Sequence, residues 1–137
     1  MDLNQVMVAV SDLKRSVSFY SGLGLRPIVM AETYARFELS SGSSTFSLIQ
    51  SDAPEAGETI LYLEVDDVDA THARLSASGV MFEHPPEDQV YRWRTAPFRD
   101  PDGHRLCIYH AGPERRFPPW RLEARPRWAA PLIDFTS

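Results

Sequence analysis

The stretch VMVAVSDL at residues 6–13 decides the fold, because LYLEVDDV at residues 61–68 repeats its pattern 55 positions later. In both stretches apolar and small residues alternate, which is typical of a β-strand that buries one of its faces. The offset persists through the following segment, where Val10 corresponds to Val65 and Gly24 to Gly79. A correspondence held over that distance indicates an internal duplication.

Each repeat continues from its strand into a predicted helix. In the first repeat, Asp12 or Ser11 can accept hydrogen bonds from the free N–H groups of the first helical turn. An apolar stripe at helical spacing follows, made of Leu13, Val17 and Tyr20. Gly22 or Gly24 can take the left-handed conformation that ends the helix. In the second repeat the stripe is Val68 and Leu75, and Gly79 ends it.

Three short strands are predicted after each helix. They cover residues 26–30, 34–39 and 45–50 in the first repeat, and 80–83, 91–98 and 105–110 in the second. The sequence Asp100-Pro101-Asp102-Gly103 between the last two strands suits a type I turn. The sequence therefore predicts an α+β domain over residues 1–110, built from two tandem βαβββ modules at about 1–52 and 58–110.

Composition bounds the class of protein. The 137 residues are 43% hydrophobic and 24% charged, which is enough to bury a core. The single cysteine excludes an internal disulfide, and the net charge of −5 argues against nucleic acid as a partner. No apolar run reaches the roughly 18 residues of a membrane helix, and residues 1–10 lack the features of a signal peptide. We therefore expect a cytoplasmic protein without a membrane partner.

Two motifs in this frame carry a family resemblance. The segment VSDLKRSVSFY at residues 10–20 and the turn DPDGH at residues 100–104 resemble the vicinal oxygen chelate superfamily. This superfamily includes glyoxalase I, extradiol dioxygenases, fosfomycin-resistance enzymes and bleomycin-resistance proteins. The resemblance covers roughly residues 1–110. It implies mixed sheets that curl into a cup, usually completed in a homodimer.

The resemblance also implies where metal ligands would stand, on the first and fourth strands of each module. Carried onto this chain by register, these positions are Gln5, Leu48, Ile60 and Cys107, with Gln50 in place of Leu48 if the register slips by two. Leucine and isoleucine have no donor atom, whereas divalent ions need oxygen, nitrogen or sulfur ligands. We therefore predict no cofactor and no native metal ion, and we take these four residues as contacts to a ligand.

Aromatic side chains accompany these positions. Tyr62 and Tyr109 share the strand parity of Ile60 and Cys107, so both are predicted to face the cup. Trp93 lies in an alternating segment and either joins them or packs under the helix or at a dimer interface. Such rings bind flat or cationic ligands by stacking. The predicted charged contacts to a ligand are Arg36, Arg94 and His110.

The segment 111–137 is a separate arm. Its five prolines forbid a long helix, although it carries several large apolar residues that include Phe117 and Trp120. An irregular, extended Pro/Arg/Trp-rich arm that packs on its own body or on a dimer partner satisfies both observations. It would act either as a cap over the cup or as a structural strap, and the sequence favours the strap.

Taken together, these patterns predict a metal-free small-molecule-binding protein of the bleomycin-resistance type. It would sequester an aromatic or polar ligand in the cup, a role associated with antibiotic resistance. The alternative is an enzyme of the same fold, a lyase, isomerase or dioxygenase-like protein, that uses a non-standard metal site or none. A third hypothesis is a protein whose dimer surface and arm matter more than its cup.

Overall fold

The chain folds into two consecutive βαβββ modules, as the duplication predicts. The computed structural model describes residues 1–122. The first module contains β1 (Gln5–Val10), α1 (Leu13–Leu23), β2 (Arg26–Met30), β3 (Tyr34–Glu38) and β4 (Thr45–Gln50). The second contains β5 (Ile60–Glu64), α2 (Val68–Ala77), β6 (Glu87–Asp88), β7 (Arg94–Arg99) and β8 (Arg105–His110), followed by a 3-10 helix at Gly112–Arg115. The α+β class is therefore confirmed.

Helix α1 begins and ends at residues that the sequence nominates, whereas the C-cap of α2 is Ser78, one residue before the predicted Gly79. The carboxylate of Asp12 accepts a hydrogen bond from the backbone N–H of Arg15, at 3.1 Å, and that of Asp67 accepts one from Ala70, at 2.9 Å. Gly24 ends α1 with a φ of 109°, a conformation that a residue with a Cβ rarely adopts. The structure thus selects Asp12 over Ser11 and Gly24 over Gly22.

Each module has one four-stranded sheet. The strand order is β1-β4-β3-β2 in the first and β5-β8-β7-β6 in the second. In the first sheet β1 runs parallel to β4, and the other pairs are antiparallel. Tyr20 of α1 packs its ring against Phe37 and Phe46, so these two residues mark the helix side of the sheet. We call the opposite side the open face.

In the second module, the two strands predicted at 80–83 and 91–98 differ from those observed. The strand predicted at 80–83 is reduced to a single bridge between Phe82 and Phe98, and the hairpin partner of β7 is instead β6. The strand predicted from residue 91 begins at Arg94, because Arg92 adopts a left-handed turn conformation with a φ of 69°. This value is unusual for a residue that is not glycine.

The predicted turn after β7 is held by hydrogen bonds to the first module. The buried Tyr20 hydroxyl donates to the Asp100 carboxylate at 2.7 Å. The other Asp100 oxygen accepts the N–H groups of Asp102 and His104, both at 2.9 Å. Residues 99–105 form one compact unit with residues 1–60, and residues 61–98 form another with the described part from 106 onward. The DPDGH motif is therefore a structural anchor.

No helix within residues 1–122 has the length and apolar character needed to cross a membrane.

Candidate functional site

Three aromatic side chains from three different segments meet in the second module. Tyr62 lies on β5, Tyr109 on the neighbouring β8, and Trp93 immediately before β7. The rings of Trp93 and Tyr109 stack with their centroids 4.7 Å apart. Tyr62 meets both rings edge-on, at 5.4 Å from Tyr109 and 5.6 Å from Trp93. The structure thus brings together the two tyrosines that strand parity predicts to share a face, and Trp93, for which the sequence left two placements open, joins them.

A cavity of about 390 Å³ opens above this cluster. Tyr62 is 43% exposed and forms part of its wall, whereas Tyr109 is buried beneath. The cavity is lined by Tyr62, Tyr91, Trp93, Glu114, Arg115, Pro118 and Trp120. Its volume lies within the range of about 300–1,000 Å³ that is usual for small-molecule sites. Four of the seven lining residues are aromatic, so the walls offer flat surfaces for stacking.

The described part of the C-terminal arm supplies one side of this cavity. The carboxylate of Glu64 accepts the backbone N–H groups of Ala111 and Gly112, at 2.7 and 2.9 Å, and so holds the start of the arm. Burial disfavours the ionised form of Glu64, but these two donors outweigh it and keep the pKa of the carboxyl below its ordinary value. Within residues 111–122 only a 3-10 turn forms, as the prolines predict. Residues 123–137 of the predicted arm lie outside the described residues.

Glu114 is the acidic group of the cavity. Its Oε1 pairs with Nη1 of Arg92 at 3.2 Å, and the Arg92 guanidinium lies 5.9 Å from the ring centre of Trp120. Its Oε2 is buried, and no hydrogen-bond donor within the described residues reaches it. A buried carboxylate oxygen without a donor is energetically costly. Glu114 therefore contributes a carboxylate to the cavity wall, with its Oε2 enclosed by protein.

The predicted contacts of the first module lie in a different setting. Gln5 is on the open face, where its amide donates to Ser47 Oγ at 2.6 Å and accepts a hydrogen bond from Thr45. Leu48 is 0% exposed and two residues from Phe46, which contacts Tyr20, so it belongs to the helix side of the sheet. This placement corrects the predicted ligand contact at Leu48, because its side chain is enclosed in the core.

The residues at the implied metal-ligand positions do not fit a divalent ion. Ile60, half-buried at the start of β5, and Leu48 have only hydrocarbon side chains. Cys107 is 4% exposed, and burial raises the pKa of its thiol to about 11, so the thiol stays protonated near neutral pH. The amide of Gln5 is already occupied by its neighbours. Across residues 1–122, moreover, no three His, Cys, Asp or Glu side chains are grouped as a metal site.

The three predicted charged contacts have partners within the protein. Arg94 makes a two-pronged ion pair with Asp69, at 2.8 and 3.0 Å, and also pairs with Asp88. Nδ1 of His110 lies 2.8 Å from the carbonyl oxygen of Val65. Arg36 donates from Nε to the Tyr34 hydroxyl at 2.9 Å. None of the three is among the residues that line the cavity.

Sequence reasoning missed the contribution of the arm to the site. Glu114, Arg115, Pro118 and Trp120 line the cavity, yet no strand or helix periodicity connects them to the aromatic cluster. One signal was present, namely the apolar rings at Phe117 and Trp120, which are too large to leave in water without a partner surface. Ser47 was missed as well, although it is a small polar residue inside an apolar strand.

Known proteins share this architecture. A curated relative, the uncharacterized protein YraH of Bacillus subtilis (strain 168), is 35% identical over 127 residues, covering 80% of this chain and 98% of the relative. A bleomycin-binding protein solved in complex with bleomycin is 18% identical, with a TM-score of 0.66 over 80% of this chain and 98% of that one. A lactoylglutathione lyase from Agrobacterium tumefaciens is 19% identical, with a TM-score of 0.67 over 80% and 92%. At these identities the two solved structures show a shared fold.

The match at the level of sequence is more specific. The family model described as Glyoxalase/Bleomycin resistance protein/Dioxygenase superfamily matches residues 2–108, which span both βαβββ modules and end just before the arm. The family resemblance expected from the two motifs is therefore confirmed. This chain belongs to the Glyoxalase/Bleomycin resistance protein/Dioxygenase superfamily.

Proposed function

We propose that this protein binds a small planar aromatic molecule in the cavity of its second module, without a bound metal ion and without chemistry. The observation that carries the proposal is the wall itself, in which Tyr62, Tyr91, Trp93 and Trp120 surround about 390 Å³. Rings that are already packed edge-on or stacked lose little side-chain freedom when they receive a flat ligand. The bleomycin-binding neighbour supports a binding role for this fold, although the proposal rests on the cavity.

The Glu114 carboxylate in the cavity wall favours ligands that carry a hydrogen-bond donor. Glu114 lines the cavity together with the aromatic residues, and its Oε1 pairs with Arg92 at 3.2 Å. A ring system that carries an N–H donor would stack on the aromatic wall and donate a charge-assisted hydrogen bond to the Glu114 carboxylate. We infer that planar amines bind better than planar molecules of the same size that lack a donor.

A titration of wild-type protein with proflavine, a planar three-ring diamine, tests the proposal. Binding is expected to quench the tryptophan fluorescence and to raise the melting temperature, because a ligand at 100 times its dissociation constant adds about 2.7 kcal/mol to the free energy of unfolding. If proflavine and a panel of other planar heteroaromatic amines, bleomycin included, give neither response, the proposed function is wrong.

The role of the carboxylate gives a matched comparison between two ligands. In Glu114→Gln the charged acceptor becomes neutral, so the affinity for proflavine is expected to fall about tenfold, or about 1.4 kcal/mol. The affinity for acridine, which has the same three rings without amino groups, is expected to change less than about twofold. The exposed Glu32→Gln is the control. Equal losses for both ligands would show that the carboxylate shapes the cavity and does not select the donor.

We also propose that the chain forms a homodimer. The edge strand β2 supports this, because Ile28, Val29 and Met30 are all exposed on it. An apolar edge strand left in water invites pairing with another chain. Light scattering after size exclusion is expected to give about twice the 15.5 kDa of one chain. A single-chain mass across the micromolar range would contradict the homodimer and leave the cavity proposal untouched.

A further inference from the structure

A polar cluster lies on the open face of the first module and shares no residue with the lining of the aromatic cavity. It is built by Gln5 on β1, Tyr34 and Arg36 on β3, and Thr45 and Ser47 on β4. Ser47 is 0% exposed, whereas Gln5 and Arg36 are exposed and Tyr34 is half-buried. The centre of the cluster is therefore the buried hydroxyl of Ser47, and its surface is formed by the phenol and the guanidinium.

The direction of each hydrogen bond follows from the donors available. The amide nitrogen of Gln5 donates to Ser47 Oγ at 2.6 Å, since Thr45 already donates to the amide oxygen. A buried hydroxyl must in turn donate its own hydrogen, and the acceptor within reach is Tyr34 Oη, also at 2.6 Å. The Tyr34 oxygen thus receives a hydrogen bond from Ser47.

A second donor points at the same phenol oxygen. Arg36 Nε, which can only donate, lies 2.9 Å from Tyr34 Oη, and the guanidinium stands 5.5 Å from the centre of the tyrosine ring. With both lone pairs of the phenol oxygen engaged, its own hydrogen is turned away from Ser47 and Arg36. The phenol O–H and the positive guanidinium are consequently presented side by side on the open face.

We propose that this cluster is a binding site for a carboxylate, in which Tyr34 donates its hydroxyl hydrogen and Arg36 supplies the positive charge. The ligand is a small organic anion, because one neutral donor beside one cation matches a carboxylate group. Hydrogen bonds from Ser47 and Arg36 also lower the pKa of the Tyr34 phenol. The same phenol, with its lowered pKa, would serve as an acid–base group toward such a ligand. Tyr34 is thus the residue that the alternative hypothesis, an enzyme of this fold, would use for proton transfer.

Ultraviolet titration of tyrosinate tests the site in the intact protein, without knowledge of the natural ligand. One tyrosine is expected to ionise below the ordinary value of about 10, and Tyr34→Phe is expected to remove that step. Acetate is expected to raise the midpoint by about one pH unit, because it accepts a hydrogen bond from the neutral phenol only, and this shift corresponds to about tenfold tighter binding of acetate by the protonated form. Chloride at equal ionic strength should not reproduce the shift.

Two further variants separate binding from general structural effects. Ser47→Ala is expected to move the low step upward without removing it, and Arg36→Gln is expected to abolish the response to acetate. Tyr91→Phe, the control, should leave the low step in place, because burial raises the pKa of Tyr91 and it ionises later. A titration that is unchanged in Tyr34→Phe, or an acetate shift equal to that of chloride, would overturn the proposal. Neither outcome bears on the aromatic cavity of the second module.

Discussion

Replacing Asp100 by alanine is expected to lower the free energy of unfolding by about 3–5 kcal/mol, the range for breaking a buried charged network. The Asp100 carboxylate is buried and accepts three hydrogen bonds, from the Tyr20 hydroxyl and from the N–H groups of Asp102 and His104. Its removal leaves the Tyr20 hydroxyl in the core without an acceptor. Urea denaturation of wild type and variant measures the loss directly.

Two companion variants make this expectation specific. Tyr20→Phe removes one of the three donors together with its need for an acceptor, so a smaller loss, about 1 kcal/mol, is expected. Asp52→Ala, at an exposed carboxylate outside the network, should change stability by less than about 0.5 kcal/mol. A loss below about 1 kcal/mol in Asp100→Ala would contradict the assignment of the DPDGH turn as a structural anchor.

The stability that the Tyr20–Asp100 hydrogen bond contributes is expected to fall at alkaline pH. Burial and the neighbouring Asp100 carboxylate raise the pKa of the Tyr20 phenol far above its ordinary value. The hydrogen bond is therefore fully present below the pKa of an unfolded tyrosine, about 10, and the stability it contributes falls as the pH rises above that value. In Tyr20→Phe this alkaline loss should be reduced.

Replacing both Tyr62 and Trp120 by alanine is expected to reduce the affinity for proflavine about 100-fold. Tyr62 comes from β5 and Trp120 from the arm, and both line the cavity. Truncation of each ring to alanine removes one stacking surface, so each single variant is expected to lose about tenfold, or about 1.4 kcal/mol. Fluorescence anisotropy of the ligand gives the dissociation constants without relying on the tryptophan that is deleted.

The arm also offers a matched control for this experiment. Phe117 belongs to the same segment, is exposed, and is absent from the cavity wall, so Phe117→Ala should change the affinity by less than about twofold. If Phe117→Ala weakened binding as much as Trp120→Ala, the arm would act by its overall placement and the aromatic wall would not explain recognition.

The fold could be read largely from the sequence because its signals are local. Alternation in β1 and β5, the acidic caps Asp12 and Asp67, and the internal offset of 55 residues each depend on neighbouring positions. Where the signal was absent the prediction failed. Nothing in the sequence marks Arg92 for a left-handed conformation, and this turn is what delays β7. The short strand β6 follows from that hairpin and from no periodicity of its own.

The sequence predicted the candidate site only for residues whose face of the sheet follows from the alternation of side chains along a strand. Alternation places Tyr62 and Tyr109 on one face, and the structure shows their rings in contact. The prediction for Leu48 followed the register of the family. In the structure Phe46 contacts Tyr20 of α1, and the buried Leu48, two residues further along β4, lies on the same side of the sheet. Trp120 and Glu114 join the cavity through a non-local contact of an irregular segment, which no local pattern encodes.

One titration tests the central claim, that the aromatic cavity binds without a metal ion. Proflavine binding is measured by calorimetry on protein as purified and on the same protein after exhaustive dialysis against a chelator, with metal content determined in both samples. The account predicts equal affinities and equal heats in the two samples, and loss of binding in the Tyr62→Ala, Trp120→Ala double variant. Binding that disappears with the chelator and returns with an added divalent ion would contradict it.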